Sequence, residues 1–225
     1  MIRTLALLVL CALSLEARAD TAGSITESGY RSGESPIHFA LDLQYTGFRW
    51  MGLSADRQVG GQVFGEIGHG GRLALEYIPV KSIGRIGIGV GVTLYGQPNI
   101  ALSGERYTSV IGVPLDLSLS YRAAFTPRQW VVPFLKGGIG AVGVKYTSKT
   151  GGPDQLTQIE ATLQYGGGLE FCLSRLELAD SHRLDSSMGI NAIYLVTEYS
   201  RGKMLGNSLL DLSYESYQAG MRFEF

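Results

Sequence analysis

The chain has 225 residues, a formal net charge of −1, 45% hydrophobic and 17% charged residues. No excess or cluster of Lys and Arg is available to meet a phosphate backbone, which argues against nucleic acid as a partner. Beyond the first residues no run approaches the ~18 consecutive apolar positions of a membrane-crossing helix. The 31 glycines and 12 tyrosines suit many strands better than helices.

Residues 1–19 read as a secretory signal: Arg3 supplies the positive start, Leu5 to Leu15 the apolar run and Ala17-Arg18-Ala19 the small-x-small cleavage site. Cys11 follows the bulky Leu10 and is discounted as a lipoprotein cysteine. Cys172 is then the one cysteine left after cleavage, so no internal disulfide is available despite export. Residues 20–36, rich in Ser, Gly, Glu and Thr, are expected to form a mobile periplasmic leader. One domain, 37–225, follows.

Strict alternation opens this domain. Ile37, Phe39, Leu41, Leu43 and Tyr45 share one face of a first strand, and His38, Ala40, Asp42 and Gln44 the other. Gly47 to Gly71 lacks clean alternation and leaves room for a further hairpin. From Arg72 a second strand sets Leu73, Leu75 and Tyr77 against Ala74 and Glu76, and Val80 to Gly84 is a short turn. The third strand sets Ile86, Ile88, Val90, Val92 and Leu94 against Gly87, Gly89, Gly91 and Thr93. A glycine row implies a close approach on that side, in a narrow barrel by long side chains from opposite walls. After a loop over 96–106, the fourth strand sets Ile111, Val113, Leu115, Leu117, Leu119 and Tyr121 against Gly112, Asp116, Ser118, Ser120 and Arg122, with Pro114 implying a bulge or a late strand start.

Residues 123–129 form a second short turn. The fifth strand, 130–146, has apolar residues of both parities, reconcilable by a bulge at Gly137-Gly138. A loop over 147–157 precedes a sixth strand that sets Ala161, Leu163, Tyr165, Leu169 and Phe171 against Glu160, Thr162, Gln164, Glu170 and Cys172. A polar stretch, 174–185, leads to a seventh strand around 187–199 whose facing the pattern leaves open. The last loop is placed at 200–209. The terminal strand sets Tyr217, Ala219, Met221, Phe223 and Phe225 against Gln218, Gly220, Arg222 and Glu224.

The expected fold is all-β: a closed antiparallel up-and-down transmembrane barrel of eight strands, with ten still open because of Gly47 to Gly71. Charge placement supports it. On six of the eight strands the apolar row carries no Asp, Glu, Lys or Arg through its central band, where a midplane cation facing lipid would cost ~2–4 kcal/mol. The opposite rows carry Asp42, Glu76, Asp116, Arg122, Glu160, Gln164, Glu170 and Arg222, the expected polar network of the lumen, together with Arg72 and Glu224. A soluble lipid-carrying barrel would have the reverse arrangement. Tyr45, Tyr77, Tyr121, Tyr165 and Phe223 at strand ends suit interfacial aromatic girdles.

The signal, the alternating strands and the terminal Met221-Arg222-Phe223-Glu224-Phe225 together resemble the small Gram-negative outer-membrane barrels of the OmpA, OmpX and OmpW kind, over about Pro36 to Phe225. The resemblance implies residence in the bacterial outer membrane as a monomer among outer-membrane lipid and lipopolysaccharide. It also implies that Phe223 and Phe225 form the signal read by the barrel-assembly machinery. Three functions stand beside it: a structural or surface-interaction role with a plugged interior, a small pore or conduit for solutes, and a lipid-modifying enzyme. An eight-stranded barrel is only wide enough for side chains to fill, which favours the first.

Other motifs carry little. Gly138-Ile139-Gly140-Ala141-Val142-Gly143 matches a dinucleotide fingerprint literally, but no helix follows it. His38, His69 and His182 lie on separate elements without metal-ligand spacing, and none has Ser two residues on, so no catalytic residue, metal or cofactor is expected.

Overall fold

The computed structural model describes residues 37–51, 68–81, 83–102, 105–126, 129–148, 155–176, 188–206 and 212–225. The expected signal and leader, and 52–67 where a further hairpin was open, lie outside the described residues. Eight strands form one sheet: β1 Phe39–Trp50, β2 Gly68–Val80, β3 Arg85–Leu102, β4 Glu105–Arg122, β5 Val131–Ser148, β6 Gln155–Cys172, β7 Ala192–Met204 and β8 Tyr214–Glu224. Each pairs antiparallel with its sequence neighbours, and β1 pairs with β8, so the sheet closes into an eight-stranded up-and-down barrel. Closure removes the sheet edges that an open sheet would leave unpaired.

Accessibility along the strands follows a period of two. Phe39, Leu43, Leu75, Ile88, Val90, Leu115, Leu117, Leu119, Ile139 and Leu163 face outward and are exposed, whereas Asp42, Arg72, Glu76, Asp116, Arg122, Glu170 and Arg222 face inward and are buried. This is a sheet with its apolar face turned out, the distribution that hydrocarbon demands and water forbids. Tyr45, Tyr77, Tyr121 and Tyr165 are all on the outer face. Phe39 and Tyr77 lie 5.4 Å apart between ring centroids at one end of the belt, and Tyr199 and Tyr217 lie 5.2 Å apart towards the other.

The two ends of the barrel differ. The end holding Phe39 and Phe225 carries the short connection at 81–84, where Gly84 at φ +82 takes the left-handed conformation that a side chain resists. A Cβ there would also stand 2.7 Å from the Arg122 carbonyl oxygen. At the opposite end the 18-residue strands β3 to β6 run well past the ~9–11 residues that cross a bilayer. Much of the loops expected at 96–106 and 147–157 is therefore paired strand, and β7 continues through Met204 where a loop was expected from 200.

Neither the bulge or late strand start expected at Pro114 nor the bulge expected at Gly137-Gly138 is present. Pro114 sits within β4 on a constant register: Val92 pairs Leu115 and Tyr95 pairs Gly112, so the ladder skips at the residue without an N–H and resumes unshifted. Likewise β5 runs in unbroken register through Gly137 and Gly138 against both neighbours. Val132, Phe134, Val142 and Val144 face the lumen there, and Leu135 and Ile139 face out, so both rows are apolar without any change of phase. In β7 the inner row is Tyr194, Val196, Glu198 and Ser200.

Leu117 lies near the middle of the outer belt. Arginine at this position is expected to lower stability in lipid vesicles by about 2–4 kcal/mol, read from guanidinium unfolding followed by tryptophan fluorescence. An unchanged midpoint would mean that this face does not meet hydrocarbon.

Candidate functional site: the charged lumen

The inner rows of β1, β2, β4, β6 and β8 meet in an ionic belt just above the end that holds the termini. Arg222 of β8 is at its centre. Its Nη1 donates to Asp42 Oδ1 and Oδ2 at 3.2 and 3.1 Å, its Nη2 lies 3.1 Å from Glu76 Oε2, and its Nε lies 3.8 and 3.9 Å from Glu170 and Glu224 Oε1. Asp42 and Arg222 are direct partners in the β1–β8 ladder, so this contact spans the closing seam of the barrel.

Arg122 of β4 meets three of these four carboxylates. Its Nη1 lies 3.1 Å from Glu224 Oε1 and 3.6 Å from Glu170 Oε1, and its Nη2 lies 3.9 Å from Glu76 Oε1. Ser120 Oγ donates to Glu76 Oε1 at 2.8 Å, and Arg85 Nη1 donates to Glu224 Oε2 at 2.5 Å. Further along the axis, Arg72 grips Asp116 with two parallel bonds of 2.6 and 2.9 Å, and Lys136 Nζ lies 2.5 Å from Glu198 Oε1. Groups so fully withdrawn from water are tolerable only when each faces an opposite charge.

The glycines of β3 make room for this belt. A Cβ on Gly87 would stand 1.8 Å from Glu76 Oε1, and one on Gly91 would stand 2.4 Å from Arg72 Nη2 and 2.6 Å from Asp116 Oδ2. The close approach expected on this row is thus present, but it comes from the adjacent strands β2 and β4, not from opposite walls. Side chains leaning across a neighbouring strand need a missing Cβ to lie flat against it.

The belt is bracketed by two uncharged layers. Towards the termini, Ala124, Val132, Phe134, Cys172, Ala192, Tyr194 and Val196 form a buried apolar cluster. Towards the loops lie Ser200, Ser216 and Gln218, with Gln218 Nε2 donating to Ser216 Oγ at 3.0 Å and the two serine hydroxyls 2.7 Å apart. Above them Phe48 stacks between Tyr95 and Tyr214 at 4.0 and 4.5 Å. Thr46, Phe48, Arg72, Gln164, Tyr214 and Gln218 are among the side chains around a cavity of about 10 Å³, room for one water.

Of the residues assigned to the lumen from sequence, Asp42, Glu76, Asp116, Arg122, Glu170 and Arg222 meet in the ion pairs. Gln164 lines the small cavity instead. Glu160 sits nearer the loops, where a Cβ on Gly206 would stand 3.0 Å from its Oε2. Arg85, Lys136 and Glu198 were not assigned. Lys136 and Glu198 are on the two strands whose facing the pattern leaves open, and these strands also carry cations of the opposite parity, Lys145 on β5 and Arg201 and Lys203 on β7, so charge alone does not fix them.

At the terminus, Phe223 is on the outer row and Phe225 is tied down by its backbone. The Phe225 carbonyl accepts from the N–H groups of His38 and Phe39 at 2.6 and 3.1 Å, and Phe225 N donates to the Phe39 carbonyl at 2.9 Å. The glycine motif at 138–143 is mid-strand in β5. His38 is at the terminal end of the barrel and His69 is on the outer face, hydrogen-bonded to the Tyr45 hydroxyl, while His182 lies outside the described residues. Among the described residues no three His, Cys, Asp or Glu side chains group as a metal site.

A closed barrel with an oily exterior and a paired-charge lumen defines a transmembrane β-barrel of the bacterial outer-membrane class. Solved structures that share this fold include small outer-membrane proteins. OprG from Pseudomonas aeruginosa matches with a TM-score of 0.58 at 12% identity over 86% of this chain and 98% of its own. Neisserial surface protein A matches at 0.53 and 13% over 85% and 100%. Ail of Yersinia pestis, in complex with the heparin analogue sucrose octasulfate, matches at 0.51 and 14% over 85% and 100%. No protein-family model matches the chain, and no curated protein matches it.

Arg222→Gln removes the cation shared by four carboxylates. It is expected to cost about 3–5 kcal/mol in guanidinium unfolding, because buried acids are left unpaired. Adding Asp42→Asn should recover part of the loss, and a strictly additive double variant would show that the two groups do not interact.

Proposed function

We propose that the protein is a structural and surface-presenting barrel of the outer membrane, with a lumen plugged by its own side chains and with its strands β3 to β6 carrying surface loops beyond the outer leaflet. The observation that carries this reading is the filled axis: an apolar cluster, an ionic belt and an aromatic stack in succession, with a described cavity sized for one water. A hydrated pathway would need those pairs to part, and each separated charge would then lose its counterion in a narrow, dry interior. The contacts made by the loops with lipopolysaccharide or other surface molecules are the working part of such a protein. Assembly by the barrel-assembly machinery, with Phe223 and Phe225 as its signal, belongs to the same reading.

A small-solute conduit is the second reading, favoured by the polar layer of Ser200, Ser216 and Gln218 beneath the aromatic stack. Single-channel recording in planar bilayers separates the two. The plugged barrel is expected to give no steady conductance steps, whereas steps that change with Asp116→Asn or Glu170→Gln would establish the pore instead. Fatty-acid release from lipopolysaccharide by the purified protein would overturn both readings in favour of an enzyme.

A further inference from the structure

Beyond the girdle of Tyr199 and Tyr217, towards the loops, the outer faces of β1, β7 and β8 turn from apolar to charged. Arg49 of β1, Glu215 of β8 and Arg201 of β7 are successive cross-strand partners, and Tyr165 of β6 pairs next to Arg201. All four have the parity that faces away from the axis. Arg201 Nε donates to Glu215 Oε1 at 2.9 Å, and the Tyr199 hydroxyl donates to the same oxygen at 2.8 Å. Arg49 is exposed, and so is Lys203, one outward position further along β7. One carboxylate therefore stands among three cations.

A long Arg side chain at a membrane boundary would normally extend towards the aqueous phase. Here Arg201 Nε and Nη2 both donate to Glu215 Oε1, which fixes the guanidinium beside Glu215 while the Arg201 side chain stays 39% exposed and open to a ligand. The row is one outward position, about 7 Å of strand, past the paired tyrosines that mark the membrane boundary. That is headgroup height. A net positive cluster at this level, with the Arg201 guanidinium held by Glu215 and with Arg49 and Lys203 exposed beside it, matches a phosphate group.

We propose that Arg49, Arg201 and Lys203, with Arg201 oriented by Glu215, form a binding site on the outer wall for the phosphate of an outer-leaflet glycolipid, the phosphorylated lipid of lipopolysaccharide. The inference rests on the outer-membrane reading above and on the long-stranded end facing outward. It does not depend on whether the lumen conducts.

The test titrates the full-length protein in detergent micelles with the purified phosphorylated lipid and with the same lipid after enzymatic removal of its phosphates. The Arg49→Gln/Arg201→Gln variant is expected to bind the phosphorylated lipid about tenfold more weakly than the parent, and the parent should lose a similar factor with the dephosphorylated lipid. Because that variant strands Glu215, a triple variant that adds Glu215→Gln removes cations and carboxylate together and should show the same loss with parental circular dichroism. Equal binding of the two lipids by the parent, or parental affinity in the folded triple variant, would overturn the site. Conductance of the parent would revise the plugged-lumen reading and leave this one standing.

Discussion

Arg222 has no solvent to share its charge with. It is buried at the centre of the barrel, and Asp42, Glu76, Glu170 and Glu224 converge on it from three other strands and its own. Hydrocarbon outside requires every crossing strand to turn its apolar row outward, and closure then forces the opposite rows onto one narrow axis. Polar rows crowded there must satisfy one another, because each unmatched charge costs several kcal/mol. In the ion pairs described, six carboxylates (Asp42, Glu76, Asp116, Glu170, Glu198, Glu224) face five cations (Arg72, Arg85, Arg122, Lys136, Arg222), close to neutrality.

The same constraint explains features that would be faults in a soluble sheet. Glycines weaken an ordinary strand, yet in β3 they let Glu76, Arg72 and Asp116 lie against the wall in a barrel too narrow for another layer. Arg222 and Glu224 bring the seam strand into the belt, so the last strand is held by side chains as well as by the ladder to β1. Phe225 adds backbone bonds to His38 and Phe39 at that seam. Pro114 is tolerated because the ladder on either side of it holds the register.

Where the two rows of a strand differed in polarity, the facing was legible from residue order alone, as in β1, β2, β3, β4, β6 and β8. It failed in β5 because the end of the lumen near the termini is lined by Val132 and Phe134, so polarity no longer separates inside from outside. It failed in β7 because Tyr194 and Val196 face inward beside Glu198. With these strands unread the Lys136–Glu198 pair stayed hidden, and charge could not assign them because Lys145 on β5 and Arg201 and Lys203 on β7 have the opposite parity. The extensions of β3 to β6 were also hidden, since the residues past Leu94 have the glycine and proline content of a loop and are held as strand by their neighbours. Arg85 sits at a strand start, where no alternation has yet been established.

The central claim is that one parity meets lipid and the other meets the ionic axis. Spin labels on single cysteines at successive positions from Leu115 to Ser120 of β4, in a background free of Cys11 and Cys172 and in lipid bilayers, measure it directly through collision with dissolved oxygen. The arrangement described gives a period of two, with labels at Leu115, Leu117 and Leu119 highly accessible to oxygen and those at Asp116, Ser118 and Ser120 shielded. Accessibility in the opposite phase, or the same at all six positions, would contradict it.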